Sequence, residues 1–229
     1  MRSHDVHLSR RSSWLRASVL GANDGILSTG SLVLGVAASG ASGAAIVTAG
    51  IAGLVAGALS MAAGEYVSVS SQRDTELADL VVEERELRED PEGELGELAT
   101  IYVGRGLPAE LATQVAAALS EHDALAAHAR DELGLDEERR AQPLQAAWTS
   151  ALSFSVGAIL PVLAVGLAPH AVRIVICVGV TLAALAALGY VGARLGGAHR
   201  GRAAARVLVW GSIAMAVTSG IGALVGAAV

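Results

Sequence analysis

The sequence predicts an all-α, polytopic membrane protein with five transmembrane helices and an acidic helical domain inserted between the second and third. Three observations predict it. Apolar stretches of about 20 residues, long enough to cross the hydrocarbon of a bilayer, recur five times and continue to the last residue. Charge is nearly absent from them: Asp24 is the only charged residue between Arg16 and Glu65, Arg173 the only one in 144–193, and 207–229 has none. Residues 67–143, in contrast, hold 19 acids against seven Arg, a formal −12 in a chain whose total is −6. The recurrence argues against a signal peptide ahead of a soluble domain. Three parts follow: residues 1–66 with an N-terminal cytoplasmic segment and spans 1 and 2, the acidic domain 67–143, and residues 144–229 with spans 3 to 5.

Taken in order, the spans fall at about 17–38, 44–66, 145–167, 171–193 and 206–228. The uncharged "ASGASG" follows span 1, and "APHAV" makes a tight turn between spans 3 and 4. Pro161 is expected to bend span 3, because proline removes a helix hydrogen bond. Gly53-x-x-x-Gly57 and Gly222-x-x-x-Gly226 suit close backbone packing. The single cysteine, Cys177, has no partner for an intrachain disulfide and reads as a small packing residue.

Arginine sets the expected orientation. Every basic residue is Arg, a bias expected of a GC-rich bacterium. Arg2, Arg10, Arg11 and Arg16 precede span 1, and Arg194, Arg200 and Arg202 lie between spans 4 and 5, with Arg206 following at the start of span 5. With the seven Arg of 67–143, each odd-numbered span starts on an Arg-rich side. The positive-inside rule then places the N-terminus and the acidic domain in the cytoplasm and the C-terminus outside. Trp14, Tyr66, Trp148, Tyr190 and Trp210 all fall near the expected cytoplasmic ends, where amphipathic rings favour the headgroup level. The expected location is a bacterial inner membrane, in contact with the lipid bilayer, with no nucleic acid as a partner.

The acidic domain reads as three helices. The first continues span 2 without a breaker to Pro91. A short one covers Glu94–Val103. A long one opens at Pro108, carries Leu111, Val115, Leu119, Leu125 and Leu133, and stops at Gly134. At 100° per residue, Asp79, Glu83, Glu86 and Asp90 share one face of the first helix within roughly 60°. Glu84 and Arg88, and Arg85 and Glu89, are i,i+4 pairs, which a solvated face explains. Glu83 and Glu86 have no Arg at that spacing. Glu94 and Glu97 repeat the i,i+3 spacing, and His128 and Glu132 share a face of the last helix. Folded together, these groups would form a carboxylate cluster with one imidazole, a donor set suited to Fe²⁺ and Mn²⁺. An acidic, solvated surface would explain the charges equally.

Asp24 lies about seven residues into span 1, roughly 10 Å deep at 1.5 Å per residue. An acid at such a place costs about 2.5–3.5 kcal/mol on insertion scales and usually faces a cavity, a partner or an ion path. Met61 and Glu65 share a face of span 2, and Met61 should reach a depth similar to that of Asp24. Asn23 could add an amide oxygen or bond across helices. A carboxyl that only holds helices together is the other reading.

"GANDGILST", "SMAAGEYVSVSSQRD", "HARDELG" and "PLQAAWTSALSFSVGAILPVL" together resemble the vacuolar iron transporter family, in order and over nearly the whole chain. The resemblance implies a homodimer with five transmembrane helices per subunit that moves Fe²⁺, and Mn²⁺ in some members, out of the cytosol in exchange for protons. It implies a translocation path at Asp24 and Met61, with Glu65 close by. It implies metal binding at Glu83, Glu86, Glu94, Glu97 and Glu132. Plant members carry methionines near the last of these, whereas this chain has "AAHARDE", so His128 stands where a thioether would. A ferritin-like di-iron oxidase is not expected, because that class needs Glu-x-x-His on two helices and the chain has none. The alternative is a membrane-anchored metal sensor or scaffold without transport, which leaves Asp24 unexplained.

Overall fold

The computed structural model describes residues 12–135 and 141–228, with side chains from residue 18 onward. The side chains of Trp14 and of the N-terminal arginines, and the acids and arginines of 136–140, lie outside those limits. Among the described residues seven α-helices follow one another: α1 (Ser12–Ala38), α2 (Gly43–Glu89), α3 (Pro91–Gly104), α4 (Ala109–Asp131), α5 (Pro143–Leu167), α6 (Arg173–Leu195) and α7 (Arg200–Ala228). Five of them, α1, α2, α5, α6 and α7, are long and apolar enough to cross a membrane. The turn before α6 is a single 3₁₀ turn, His170–Val172. The chain divides into two compact units, one made of 1–65 with 144–229 and one made of 66–143. The 47-residue α2 contributes to both.

In the first unit α1 is the central helix, and small residues make it so. A methyl group at Gly25 would run into the Phe154 carbonyl oxygen of α5, and one at Gly157 into the Ala22 carbonyl of α1. Gly30 lies against Thr181 of α6, and Gly35 against Thr218 of α7. Gly222 and Gly226 abut the backbone of Gly35 and Ser39, while Gly53 and Gly57 receive the Leu32 and Phe154 side chains. Both GxxxG pairs are therefore used inside one chain, where close approach supplies the van der Waals contact that holds helices together in lipid. Val33, Leu34, Ile46, Val165, Met215 and the buried Cys177 form the core among them. α5 continues unbroken through the buried Pro161. Gly25→Val is expected to separate α1 from α5, giving an aggregated peak on size exclusion in detergent. Gly64→Ala, where nothing lies within 4 Å, should leave the peak unchanged.

The second unit packs α3 against α4. Asp90 caps α3, its Oδ1 accepting from the Gly93 N–H at 3.0 Å, with Pro91 at the first helical position. α3 therefore begins three residues before the expected Glu94. The buried face of α4 also differs from the expected one. Ala112, Ala116 and Ala127 are buried, whereas Leu111 is exposed, because a face of alanines lets α4 approach Leu98 and Ala99 of α3. α4 is broken at Asp123, which is extended (φ −162°, ψ 94°). Its Oδ1 accepts from the Ala126 N–H at 3.0 Å, restarting the helix as an N-cap does.

A latch joins the far ends of α3 and α4. Asp131 accepts from the Tyr102 hydroxyl at 2.7 Å and from Arg105 and Arg130, each at 2.6 Å. Burial works against the charge of Asp131, but hydrogen bonds from Arg130, Tyr102 and Arg105 outweigh it and hold the carboxyl well below the usual range. Its side chain is 8% exposed. Asp131→Ala leaves three donors without their acceptor and should lower the stability of this unit by about 1–3 kcal/mol, read as a fall in the thermal midpoint of the full chain by circular dichroism.

Candidate functional site

The acidic unit gathers four side chains from three helices. Glu83 comes from α2, Glu94 from the start of α3, His128 from α4 and Glu132 from just past its end. One donor atom from each lies within 4.8 Å of the others. His128 Nδ1 is 2.9 Å from Glu83 Oε1, 2.9 Å from Glu132 Oε2 and 3.7 Å from Glu94 Oε2. His128 is fully buried and Glu83 is 3% exposed.

One ring nitrogen carries at most one proton, so it cannot serve three carboxylates. It hydrogen-bonds to Glu132, which leaves the buried Glu83 Oε1 without a hydrogen-bond partner among the described residues. Metal ligands about 2.1 Å from an ion and at right angles to one another lie about 3 Å apart, close to the two shorter separations. The cluster can thus neutralise an imidazolium or, with the ring deprotonated, hold a divalent cation. Burial, then the charge of Glu132, Glu94 and Glu86, raises the Glu83 carboxyl above its ordinary value against the opposing pull of His128. Glu94 is raised by burial and then by Glu97. Glu86 and Glu97 are exposed and outside the group of four, acting on it through their charge. Glu84 and Arg88 form the expected pair, at 3.9 Å on the surface.

In the apolar unit, a cavity of about 250 Å³ opens between α1 and α2. Asp24, Ser28, Thr29 and Leu32 line it from α1, Gly53, Gly57, Ser60 and Met61 from α2, and Phe154 from α5. The seat of Leu32 on Gly53 fixes the antiparallel register. Eight residues back along α1 and eight forward along α2 bring Asp24 and Met61 to one level. Asp24 has no ion-pair partner among the described residues. Asn23 and Glu65 do not line the cavity, and the Asn23 Oδ1 is buried without a partner. Ser28, Thr29 and Ser60 are polar lining groups that sequence reasoning passed over. The signal was their spacing, four and five residues beyond Asp24 and one before Met61.

A carboxylate, a thioether and three hydroxyls around a cavity in a bundle of membrane-length helices form a cation-binding set with both hard and softer donors. Known proteins agree with that chemistry. The sequence model of the VIT family matches residues 15–223. The chain is 47% identical over 212 residues to a vacuolar iron transporter of Acanthamoeba castellanii, covering 92% of this chain and 78% of that protein. It is 41% identical over 218 residues to vacuolar iron transporter homolog 5 of Oryza sativa, covering 95% and 83% of the two chains. It is 39% identical over 219 residues to vacuolar iron transporter homolog 2 of Arabidopsis thaliana, covering 95% and 87%. On that breadth of agreement, which includes both the apolar helices and the acidic unit, the chain belongs to the VIT family.

Proposed function

We propose that this protein transports a divalent transition metal, Fe²⁺ with Mn²⁺ as a second cargo, out of the cytosol in exchange for protons. The observation that carries the proposal is the cavity between α1 and α2, with Asp24 and Met61 on its wall and, among the described residues, no cation paired with that carboxylate. The relatives' names support iron as the cargo. Asn23 and Glu65 are proposed to assist at the edges of the path.

The acidic domain concentrates cations by its formal charge of −12 and holds one at Glu83, Glu94, His128 and Glu132, with Glu86 and Glu97 adding to the field. Carboxylates and imidazole bind either a proton or a metal, so the two compete for the same atoms. That competition is the proposed source of coupling. The proposal places the N-terminus and the acidic domain in the cytoplasm, the C-terminus outside, and the chain in a bacterial inner membrane. It includes a homodimer meeting along α2, where Ile51, Val55 and Leu59 are exposed in the single chain.

Flux of Fe²⁺ and Mn²⁺ into proteoliposomes, with and without an opposing proton gradient, tests the proposal. Flux that rises with the gradient is expected. Equal flux with and without it would remove the antiport. No flux, with metal still bound by the acidic domain, would favour a sensor or scaffold.

A further inference from the structure

Thr29 lines the α1–α2 cavity, yet it is only 1% exposed, and its Oγ1 has no hydrogen-bond partner among the described residues. That is unusual for a hydroxyl on a membrane helix, which normally returns its proton to the carbonyl four residues back. Other hydroxyls of the same unit do so. Ser28 donates to the Asp24 carbonyl at 2.6 Å, Ser155 to Ala151 at 2.7 Å and Thr218 to Ala214 at 2.8 Å. Asn23, Ser31 and Thr181 also hold buried, unpartnered atoms, but none of those three lines the cavity.

Thr29 stands five residues beyond Asp24, about 7.5 Å further along the α1 axis at 1.5 Å per residue. Leu32, seated on Gly53, places an apolar group on the wall beyond it, whereas Phe154, seated on Gly57, is level with Ser28. Between Asp24 and Leu32 the α1 residues that line the cavity are Ser28 and Thr29, and both carry a hydroxyl. A hydroxyl is a neutral oxygen donor. It can take the place of a hydration water without binding the ion as tightly as a second carboxylate would, and passage requires sites weak enough to leave.

We propose that the Thr29 hydroxyl is a ligand of the transported cation, or of a water it carries, at a second station deeper than Asp24. Ser28 supplies the neighbouring oxygen, whereas Ser60, one residue before Met61 on α2, lies near the level of Asp24. This rests on the transport reading and adds a residue which that reading does not need.

The test compares Fe²⁺ flux by wild type, Thr29→Val, Thr29→Ser and Asp24→Asn in matched proteoliposomes. Valine keeps the branched shape and removes only the hydroxyl, so the thermal midpoint of Thr29→Val should equal or exceed that of wild type. Its flux should fall about tenfold or more, whereas Thr29→Ser should stay within about twofold of wild type. Wild-type flux matched by Thr29→Val, in vesicles where Asp24→Asn is inactive, would overturn the inference alone. So would a Thr29→Ser protein as impaired as Thr29→Val. Wild-type protein that carries no metal would sink the transport reading, and this inference with it.

Discussion

Asp24→Asn is expected to reduce Fe²⁺ flux in proteoliposomes to the level of empty vesicles while the protein remains folded. The substitution keeps the size of the side chain and removes the one formal negative charge in the cavity. Placing that charge among apolar helices costs about 2.5–3.5 kcal/mol, so a neutral residue should fold at least as well. Among the described lining residues a divalent cation has no other anionic ligand, since Ser28, Thr29, Ser60 and Met61 are all neutral. Metal binding by the acidic unit should be unchanged, because none of its four ligands lies in the cavity. Unaltered flux in a monodisperse Asp24→Asn preparation would remove Asp24 from the path.

The second large effect concerns the acidic cluster. Glu83→Gln should weaken Fe²⁺ and Mn²⁺ binding to the full chain by about 100-fold or more, measured by isothermal titration in detergent. Groups that merely support metal ligands already contribute 10–100-fold, and Glu83 offers a buried oxygen 2.9 Å from His128 Nδ1. His128→Ala should have a similar effect and also leave a void where the fully buried ring sits, so Glu83→Gln is the cleaner variant. Glu86→Gln and Glu97→Gln should lower affinity by less than about tenfold, since those carboxylates act across solvent, where charge is screened. That difference should shrink as salt is raised. Equal losses at Glu83 and Glu86 would mean that burial does not single out the ligands.

The membrane helices were legible because a bilayer leaves few choices: each span must be long, apolar and almost uncharged, and the sequence satisfies this five times. The i,i+4 pairing of His128 with Glu132 was legible for the same kind of reason, since helical periodicity puts both on one face. Periodicity could not say which glutamates face inward. Glu83 and Glu86 share a stripe on α2, and only the approach of α4 buries one and leaves the other outside. The apolar face of α4 was legible only in part: Leu119 packs against the α3–α4 core as its spacing suggests, but alanines rather than Leu111 make the closest approach to α3. The break at Asp123 carries neither glycine nor proline, and only its bond to Ala126 reveals it as a cap. The cavity hydroxyls passed unnoticed because serine and threonine in membrane helices ordinarily satisfy themselves on their own backbone. Ser28 does so and Thr29 does not.

The most direct measurement asks whether the cation occupies the α1–α2 cavity. In a Cys177→Ala background, Ser60→Cys places the chain's only thiol on the cavity wall, where a maleimide can report its accessibility. Fe²⁺ should slow the labelling of Ser60→Cys, and the protection should disappear when Asp24→Asn is added. Labelling that is indifferent to Fe²⁺, in protein that still carries the metal across the bilayer, would contradict a path between α1 and α2.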